Sequence, residues 1–293
     1  MASAFSGVWT ALATPFKNQQ IDADGLKKLI DYQVKGGVDG VIACGTTGES
    51  ATLSWDEKLE VIALTVKYAK GRVKVLAGTG TSSTSETIRF TEAATKLKPD
   101  GCLVVTPAYN KPTQDGLVEH YKAVAKCTRL PIMLYNVPGR TACNMLPETA
   151  ARIAAECKNV VATKEASGNI TQMSQVKVAA PNLTLLSGDD GLTLPSLAIG
   201  SEGVVSVITN VAPKLMSGLL AAWNSGKLEK ARQLHEQAQP LIETMFAEAN
   251  PIPVKYALSI MGIGDGSVRL PLLPASAKLK PRVDGVLKSL KLV

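Results

Sequence analysis

The sequence predicts an α/β protein whose main part is a (β/α)8 barrel, with further helices appended at the C-terminal end. Short apolar segments alternate with helical patterns eight times, at intervals of about 20–35 residues, as expected for eight strand–helix units. The strand segments are continuously apolar, which is typical of parallel strands that are buried on both faces. After residue 210, only helical patterns remain.

The eight predicted strands are rich in aliphatic and β-branched residues and are bounded by turn-forming residues. They are residues 7–16, 40–47, 73–80, 102–107, 131–138, 160–167, 183–190 and 203–210. A doubly wound open sheet is the alternative, but the sequence lacks the glycine pattern that follows the first strand of a dinucleotide-binding fold. We therefore predict a barrel domain in residues 1–225 and a C-terminal helical region in residues 226–293.

The predicted helices begin and end at recognisable capping residues. Ser54–Glu57 and Ser83–Glu86 both fit the capping box, in which two side chains satisfy the free N–H groups of a helix start. Pro147 fits the first turn of a helix that continues to about Lys158. The segment Asp22–Gly25 is interpreted as a helix N-cap region, because it lacks the remaining ligands of a calcium loop.

Composition narrows the class of protein. No apolar run approaches the roughly 18 residues of a membrane span, and the N-terminus lacks the pattern of a secretory signal. The five cysteines form no CxxC and there are only two histidines, so disulfides and a metal site are not expected. The net charge of +7 comes from scattered lysines with only 4% aromatic residues, which does not favour nucleic-acid binding. We expect a soluble cytoplasmic protein.

Candidate chemistry lies where the predicted strands end, because active sites of such barrels gather at the carboxyl ends of the strands. Lys164 is the most notable of these residues. Burial disfavours a charged amine and should lower its pKa, and a neutral amine can form a Schiff base with a ketone. The alternative is a structural salt bridge with Glu165, although strand alternation points that neighbour to the opposite face.

Two other strand ends carry possible site residues. Tyr135 is either a proton carrier or a core tyrosine with a satisfied hydroxyl. Arg140 either binds a carboxylate with its planar guanidinium or is a solvated loop residue. The segment GTTGES, residues 45–50, is not a phosphate-binding P-loop because no lysine follows Gly48. Its exposed N–H groups and two hydroxyls suit a carboxylate instead.

Four of these strand-end segments, in this order, closely resemble the dihydrodipicolinate synthase family of class I pyruvate aldolase-lyases. They are GTTGES (45–50), YNVPGRT (135–141), KEASGN (164–169) and GDD (188–190). Three further segments also fit the family, and the resemblance extends from about Gly7 to the C-terminus. They are VTPAYNKP (105–112), NPIPVK (250–255) and RLPL (269–272).

The resemblance implies a lyase that condenses pyruvate with L-aspartate 4-semialdehyde to 4-hydroxy-tetrahydrodipicolinate, in the diaminopimelate route of lysine biosynthesis. It also implies a homotetramer, organised as a dimer of dimers, and no metal or organic cofactor. Relatives on the same fold remain alternatives, namely N-acetylneuraminate lyases and 2-keto-3-deoxy sugar-acid aldolases. A catalytically silent homologue is a third possibility. Thr47 and Arg140 favour the synthase.

The resemblance also assigns roles to individual residues. Lys164 would form the Schiff base, and Tyr135 would donate and accept protons. Thr46 would link Tyr135 to Tyr109 of a neighbouring subunit in a proton relay. The remaining residues would bind substrate: Thr47 the pyruvate carboxylate, Arg140 the carboxylate of the semialdehyde, and Gly188 and Val205 the pyruvate pocket.

Members of this family that lysine inhibits bind it at a subunit interface, and four residues of this chain match or resemble that site: Ser50, Ala51, Trp55 and Glu86. Three other positions depart from the inhibited pattern, because Ala108 replaces an aromatic residue and Lys58 and Ser82 replace His and Asn. Loss of an aromatic wall and addition of a cation should weaken the binding of a cationic amino acid. We therefore expect weak or absent inhibition by lysine.

Overall fold

The computed structural model describes residues 5–293, and this part of the chain contains ten strands and twelve α-helices. The strands are β1 Gly7–Ala11, β2 Phe16–Lys17, β3 Gln20–Ile21, β4 Gly40–Ala43, β5 Lys74–Gly78, β6 Gly101–Val105, β7 Ile132–Asn136, β8 Val160–Glu165, β9 Thr184–Ser187 and β10 Gly203–Ser206. The first ten helices are α1 Ala23–Gly36, α2 Trp55–Ala69, α3 Thr84–Thr95, α4 Gln114–Lys126, α5 Pro138–Thr141, α6 Pro147–Glu156, α7 Ile170–Ala179, α8 Thr193–Ala198, α9 Pro213–Asn224 and α10 Leu228–Met245. Helices α11 Ile252–Ile260 and α12 Leu279–Ser289 complete the chain, and Asp190–Leu192 and Ile208–Asn210 are short 3-10 helices.

Eight of the ten strands form a closed barrel in the order β1-β10-β9-β8-β7-β6-β5-β4. Seven of the eight predicted strand segments contain one of these strands, and the eighth, 102–107, overlaps β6, which begins one residue earlier. Helices α10–α12 follow the barrel, so the predicted fold class is confirmed. The first four residues of the predicted domain 1–225 lie outside the described residues. Its boundary at residue 225 stays a prediction.

A small antiparallel hairpin, β2–β3, was not predicted. Phe16 pairs with Ile21 and Lys17 with Gln20, and the turn between them places Asn18 and Gln19 at positive φ. Strands of two residues are too short to show a hydrophobic period, so the sequence pattern could not indicate them.

The chain divides into two compact units, and one of them consists of Leu76–Val205 together with the described residues up to Gly7. Its core is formed by apolar side chains of β6 and β7 and of the helices α4 and α6, including the fully buried Val104, Leu134 and Ile153. The Gly7 carbonyl oxygen would lie 1.9 Å from a Cβ at Gly203, so no residue with a side chain fits there.

The second unit consists of Val8–Val75 and Ser206–Val293. Trp9 is fully buried, and its ring would lie 2.3 Å from a Cβ at Gly40, so only glycine fits beside it in the register-paired strand β4. The buried Asn210 side chain fixes the end of β1, because it accepts from Ala13 N at 2.9 Å and donates to the Ala11 oxygen at 2.8 Å.

The predicted helix starts are confirmed at the caps. Asp22 accepts from Gly25 N, and the Ser54–Glu57 capping box has both of its hydrogen bonds. Ser83 accepts from Glu86 N at the start of α3, but the second half of the predicted capping box does not form there. Ser83 N donates to Oγ1 of Thr81 instead, and the Glu86 carboxylate pairs with Arg89. Pro147 is the first residue of α6, which ends at Glu156, two residues before the expected Lys158. In residues 5–293, no helix is long and apolar enough to cross a membrane.

Candidate active site

Lys164 and Tyr135 form a buried pair near the carboxyl ends of two neighbouring strands. They are register partners on β8 and β7, so their side chains leave the same face of the barrel sheet. Lys164 is 5% exposed and Tyr135 is 6% exposed, and Nζ of Lys164 lies 4.1 Å from the centre of the Tyr135 ring. An amine held against a phenol ring is shielded from water and has a potential proton carrier beside it.

Glu165 points away from this pair, as strand alternation predicts. Its carboxylate accepts from Asn136 Nδ2 at 3.0–3.1 Å and from Ser167 N at 2.9 Å. Burial raises the pKa of Glu165, and these donors oppose that effect. The alternative in which Glu165 forms a salt bridge with Lys164 is therefore wrong.

The polar network around Glu165 was missed by sequence reasoning. Asn136 also donates to Asn144 Oδ1 at 2.8 Å, and Asn144 exchanges hydrogen bonds with Gln172. Asn136 and Glu165 are register partners, so the network joins β7 and β8 directly beside the Lys164–Tyr135 pair. The available signal was that both strands end in two consecutive residues with polar groups, Tyr135–Asn136 and Lys164–Glu165.

Gly188, which follows β9, leaves room for the Lys164 side chain. A Cβ at this position would lie 2.9 Å from Cε of Lys164 and 2.7 Å from Cβ of Ala166. Val205 is fully buried in β10, in the same compact unit. Gly188 is thus brought together with Lys164, the proposed partner of Tyr135.

Tyr109 and Arg140 are both exposed. Tyr109 is 93% exposed and has a positive φ of 76°, which is uncommon for an aromatic residue. Its backbone N–H donates to the Thr141 oxygen at 3.2 Å, so the loop after β6 is tied to α5, which carries Arg140. An exposed ring held in an unfavourable backbone conformation is typical of a residue with a binding role.

Thr46 and Thr47 lie in the turn after β4, in the other compact unit. Thr47 is 1% exposed, and its Oγ1 accepts from Asn250 Nδ2 at 2.9 Å. Thr46 is partly exposed. The Gly48 oxygen accepts from Thr14 Oγ1 at 2.8 Å, which holds the middle of the turn.

A buried ion pair holds the end of the same turn. Nζ of Lys255 donates to Oε1 of Glu49 at 2.5 Å, and both side chains are 2% exposed. Oε2 of Glu49 accepts from Arg269 N at 3.0 Å, and Nζ of Lys255 lies 3.6 Å from the centre of the Phe16 ring. Burial lowers the pKa of Lys255 to about 8, although the Glu49 carboxylate opposes this. The NPIPVK segment gave no sign of this contact, because the partners are 206 residues apart.

Of the four residues of the predicted lysine site, Glu86 is already engaged. Its Oε1 accepts from Arg89 Nη1 at 2.6 Å, and both side chains are largely exposed. Trp55 is the first residue of α2 and is 36% exposed. Ala51 is exposed and Ser50 is partly exposed. The Glu86 carboxylate therefore already has a cation of this chain, Arg89, beside it.

Within the described part of the chain, no group of three or more His, Cys, Asp and Glu residues could hold a metal ion. The five cysteines are free thiols. Burial lowers the pKa of His120 to about 4 and also lowers that of His235.

Comparison with known proteins extends over nearly the whole chain. The sequence profile of the dihydrodipicolinate synthetase family matches residues 4–290. The 4-hydroxy-tetrahydrodipicolinate synthase of Thermotoga neapolitana is 48% identical over 288 residues, which cover 97% of this chain and 98% of that protein. The crystal structure of dihydrodipicolinate synthase from Thermotoga maritima is 47% identical with a TM-score of 0.96 and 99% coverage of both chains. A solved structure described as the first monomeric dihydrodipicolinate synthase variant is 47% identical with a TM-score of 0.96, and covers 99% of this chain and 98% of its own.

Proposed function

Because the chain belongs to the dihydrodipicolinate synthetase family, we propose that it condenses pyruvate with L-aspartate 4-semialdehyde to 4-hydroxy-tetrahydrodipicolinate. This is a lyase of the class I aldolase type, and it acts in diaminopimelate and lysine biosynthesis. The observation that carries the proposal is the buried pair in which Nζ of Lys164 lies 4.1 Å from the Tyr135 ring. A shielded amine next to a proton carrier is what Schiff-base chemistry requires.

The reaction starts when the Lys164 amine attacks the C2 carbonyl of pyruvate. Water leaves, and the resulting iminium withdraws electrons from the adjacent methyl group. Removal of a methyl proton gives an enamine, whose carbon attacks the aldehyde of the semialdehyde and forms the new C–C bond while the aldehyde oxygen takes up a proton. The substrate amino group then adds to C2 and displaces Lys164, which closes the ring and restores the free amine.

Tyr135 is the proposed proton donor and acceptor in these steps, and its place beside Lys164 supports that role. Thr46 would connect Tyr135 with Tyr109 of a neighbouring subunit. The assignment of Thr46 depends on the family resemblance alone. The exposure of Tyr109 supports its role, since an exposed ring is free to enter another subunit.

The substrate carboxylates are assigned to two residues. Thr47 and nearby backbone N–H groups would bind the carboxylate of pyruvate, and Arg140 would bind that of the semialdehyde. The exposed position of Arg140 suits the capture of a second substrate that enters after pyruvate. Gly188 and Val205 would line the pyruvate pocket.

A Tyr109 shared between subunits requires at least a dimer, and we propose a homotetramer built as a dimer of dimers. A monomeric variant exists among the similar structures, so the assembly of this chain is to be measured directly by sedimentation. We also propose a cytoplasmic location, which the five free thiols support.

The mechanism is tested by reduction with borohydride in the presence of pyruvate, followed by peptide mass mapping. We expect a pyruvate adduct on Lys164 and none in Lys164→Ala. No adduct, or an adduct on another lysine, would overturn the site assignment. Substrate choice is tested separately: aspartate semialdehyde should be consumed with pyruvate, whereas cleavage of N-acetylneuraminate would indicate a sibling aldolase instead.

The engaged Glu86 carboxylate supports weak or absent inhibition by lysine. A lysine ammonium would have to compete with Arg89 for Glu86, and Lys58 adds a further positive charge to the set of site residues. Initial rates at saturating substrates should stay constant up to millimolar lysine. Half-maximal inhibition well below that concentration would contradict the proposal.

A further inference from the structure

Asn250, just before α11, contacts a residue of the proposed substrate site, and sequence reasoning gave it no role. Its Nδ2 donates to Oγ1 of Thr47 at 2.9 Å. Asn250 is 7% exposed and Thr47 is 1% exposed, so the contact is shielded from water. Within residues 5–293, Oδ1 of Asn250 is buried without a hydrogen-bond partner.

The direction of this hydrogen bond decides what Thr47 can offer to a ligand. A threonine hydroxyl has one proton and two lone pairs. Because the oxygen accepts from Asn250, its own proton stays available for donation. In the opposite amide orientation, Thr47 would donate its proton to Oδ1 and would present only lone pairs, which repel a carboxylate.

The turn that carries Thr47 is held on both sides of this contact. The Gly48 oxygen accepts from Thr14, and Glu49 is bound by Nζ of Lys255 and by Arg269 N. Asn250 and Lys255 belong to one short segment, so the two contacts fix the turn and the start of α11 to each other. Thr47 therefore meets the Asn250 amide in one defined position.

We propose that Asn250 is a positioning residue for pyruvate: it binds the lone pair of Thr47 and so leaves the Thr47 proton to the pyruvate carboxylate. This inference rests on the proposed function, which assigns that carboxylate to Thr47. It accounts for the orientation of the amide, in which the nitrogen and not the oxygen faces the Thr47 hydroxyl.

The test compares Asn250→Asp with Asn250→Ala, read out as the pyruvate concentration that gives half-maximal borohydride trapping on Lys164. Asp keeps the shape of Asn, but its carboxylate can only accept a hydrogen bond, so the Thr47 hydroxyl must donate its proton to it. The proton is then lost to pyruvate, and the half-saturating pyruvate concentration should rise about thirtyfold. Ala frees the hydroxyl, which can still donate, so the rise should be only about threefold. A packing role predicts the reverse order, since Asp preserves the shape, and that order would overturn the proposal.

Thr47→Val distinguishes two ways in which Asn250→Asp could weaken pyruvate binding. One acts through the direction of the Thr47 proton, and the other is direct repulsion between the new carboxylate and that of pyruvate. In the Thr47→Val background, both Asn250 substitutions should change the half-saturating concentration by less than about twofold, because the group they act through is gone. An undiminished effect of Asp in that background would mean repulsion of the carboxylate and would contradict the inference. If Asn250→Asp does not fold, Asn250→Ala alone still tests the inference. Its rise in the half-saturating pyruvate concentration must disappear when Thr47→Val is also present.

A ligand control distinguishes this inference from the proposed function. Trapping of hydroxyacetone, a ketone without a carboxylate, should be equal in the wild type and in Asn250→Asp. If the wild type forms no pyruvate adduct at all, the proposed function fails. If the wild type forms the adduct and the variants do not follow the expected order, only the role of Asn250 fails.

Discussion

At the scale of single residues, Gly188 shows how the barrel makes room for its proposed nucleophile. Gly188→Ala places a methyl group within 2.9 Å of Cε of Lys164 and 2.7 Å of Cβ of Ala166. The lysine side chain must move, and the backbone must also shift slightly, because Cβ of Ala166 is fixed to it. Because a small displacement of a reacting group is costly to catalysis, kcat/KM should fall on the order of 10- to 100-fold while the fold is kept.

Gly285→Ala is the matched control, since nothing lies within 4 Å of a Cβ at that position in α12. It should leave kcat/KM unchanged and raise the free energy of unfolding by about 1 kcal/mol, because alanine is the better helix former. Steady-state rates and urea unfolding of both variants are the measurements. Full activity in Gly188→Ala would contradict the close packing of this glycine against Lys164.

His120 makes stability depend on pH in the acid range. Nδ1 of His120 lies 2.9 Å from Oγ1 of Thr84, and its Nε2 is buried without a hydrogen-bond partner in residues 5–293. Burial lowers the pKa of His120 from 6.5 to about 4. Between these values the unfolded chain binds a proton that the folded chain does not bind. The stabilising contribution of the neutral ring is thus complete above pH 6.5 and is lost as the pH falls. At pH 4 this loss lowers the free energy of unfolding by about 3 kcal/mol.

His120→Asn removes the titrating ring and retains a polar group that can reach Thr84. Urea unfolding between pH 7.5 and 4 should give a flatter dependence of the free energy of unfolding on pH than in the wild type. The pKa of His235 is also lowered by burial, so part of the acid sensitivity should persist. Identical pH profiles of the two proteins would mean that His120 is not held neutral.

At the scale of elements, Arg269 binds the start of α2 to the C-terminal part of the chain. Its Nη1 and Nη2 both donate to Glu57, at 2.7 and 2.5 Å, and they also reach the oxygens of Thr52 and Gln19. Arg269 lowers the pKa of Glu57 to about 2. Lysine cannot reproduce this forked geometry, so Arg269→Lys should lower the free energy of unfolding by about 2 kcal/mol at pH 7.

Acid should reduce this difference between the wild type and Arg269→Lys. The folded pKa of Glu57 is depressed, so its contribution is present above pH 4.5 and is lost as the pH falls toward 2. Arg89→Lys is the control, because the Arg89–Glu86 pair is exposed and such pairs contribute little. Equal effects of the two substitutions at pH 7 would contradict the role assigned to Arg269.

Elements were predictable from sequence wherever the information is local. The Ser54–Glu57 capping box could be predicted because both partners lie within one turn of α2. At Ser83–Glu86 the sequence correctly predicted the Ser83 cap but not the position of the Glu86 side chain. The Glu86 carboxylate pairs with Arg89, one turn further along α3. Contacts such as Asn250–Thr47, between residues 203 apart, could not be predicted, because a hydrophobic period identifies a buried face and not the partner across it.

At the scale of the whole molecule, the eight barrel strands were predictable because strands buried on both faces leave long apolar runs in the sequence. The same pattern placed Lys164 and Tyr135 at strand ends, and the strand register then brought them together. The assembly of subunits leaves no comparable pattern. Tyr109 carries a structural clue, because a ring that is 93% exposed gains little from the fold of its own chain.

Mixing two inactive variants tests whether Tyr109 completes the site of a neighbouring subunit. Lys164→Ala lacks the nucleophile, and Tyr109→Phe lacks the hydroxyl that it would supply to its partner. In a mixed dimer, the site that keeps Lys164 receives an intact Tyr109 from the Lys164→Ala subunit, whereas the other site carries both defects. Random mixing in equal amounts should therefore restore about a quarter of the wild-type activity.

Separately purified variants that are never mixed, and a mixture kept under conditions without subunit exchange, are the controls. Both should stay at the low activity of the single variants, since no hybrid forms in either case. If Tyr109 instead served the site of its own chain, each hybrid site would contain one defect. Activity after exchange would then stay at the level of the single variants, and the proposed shared site would be wrong.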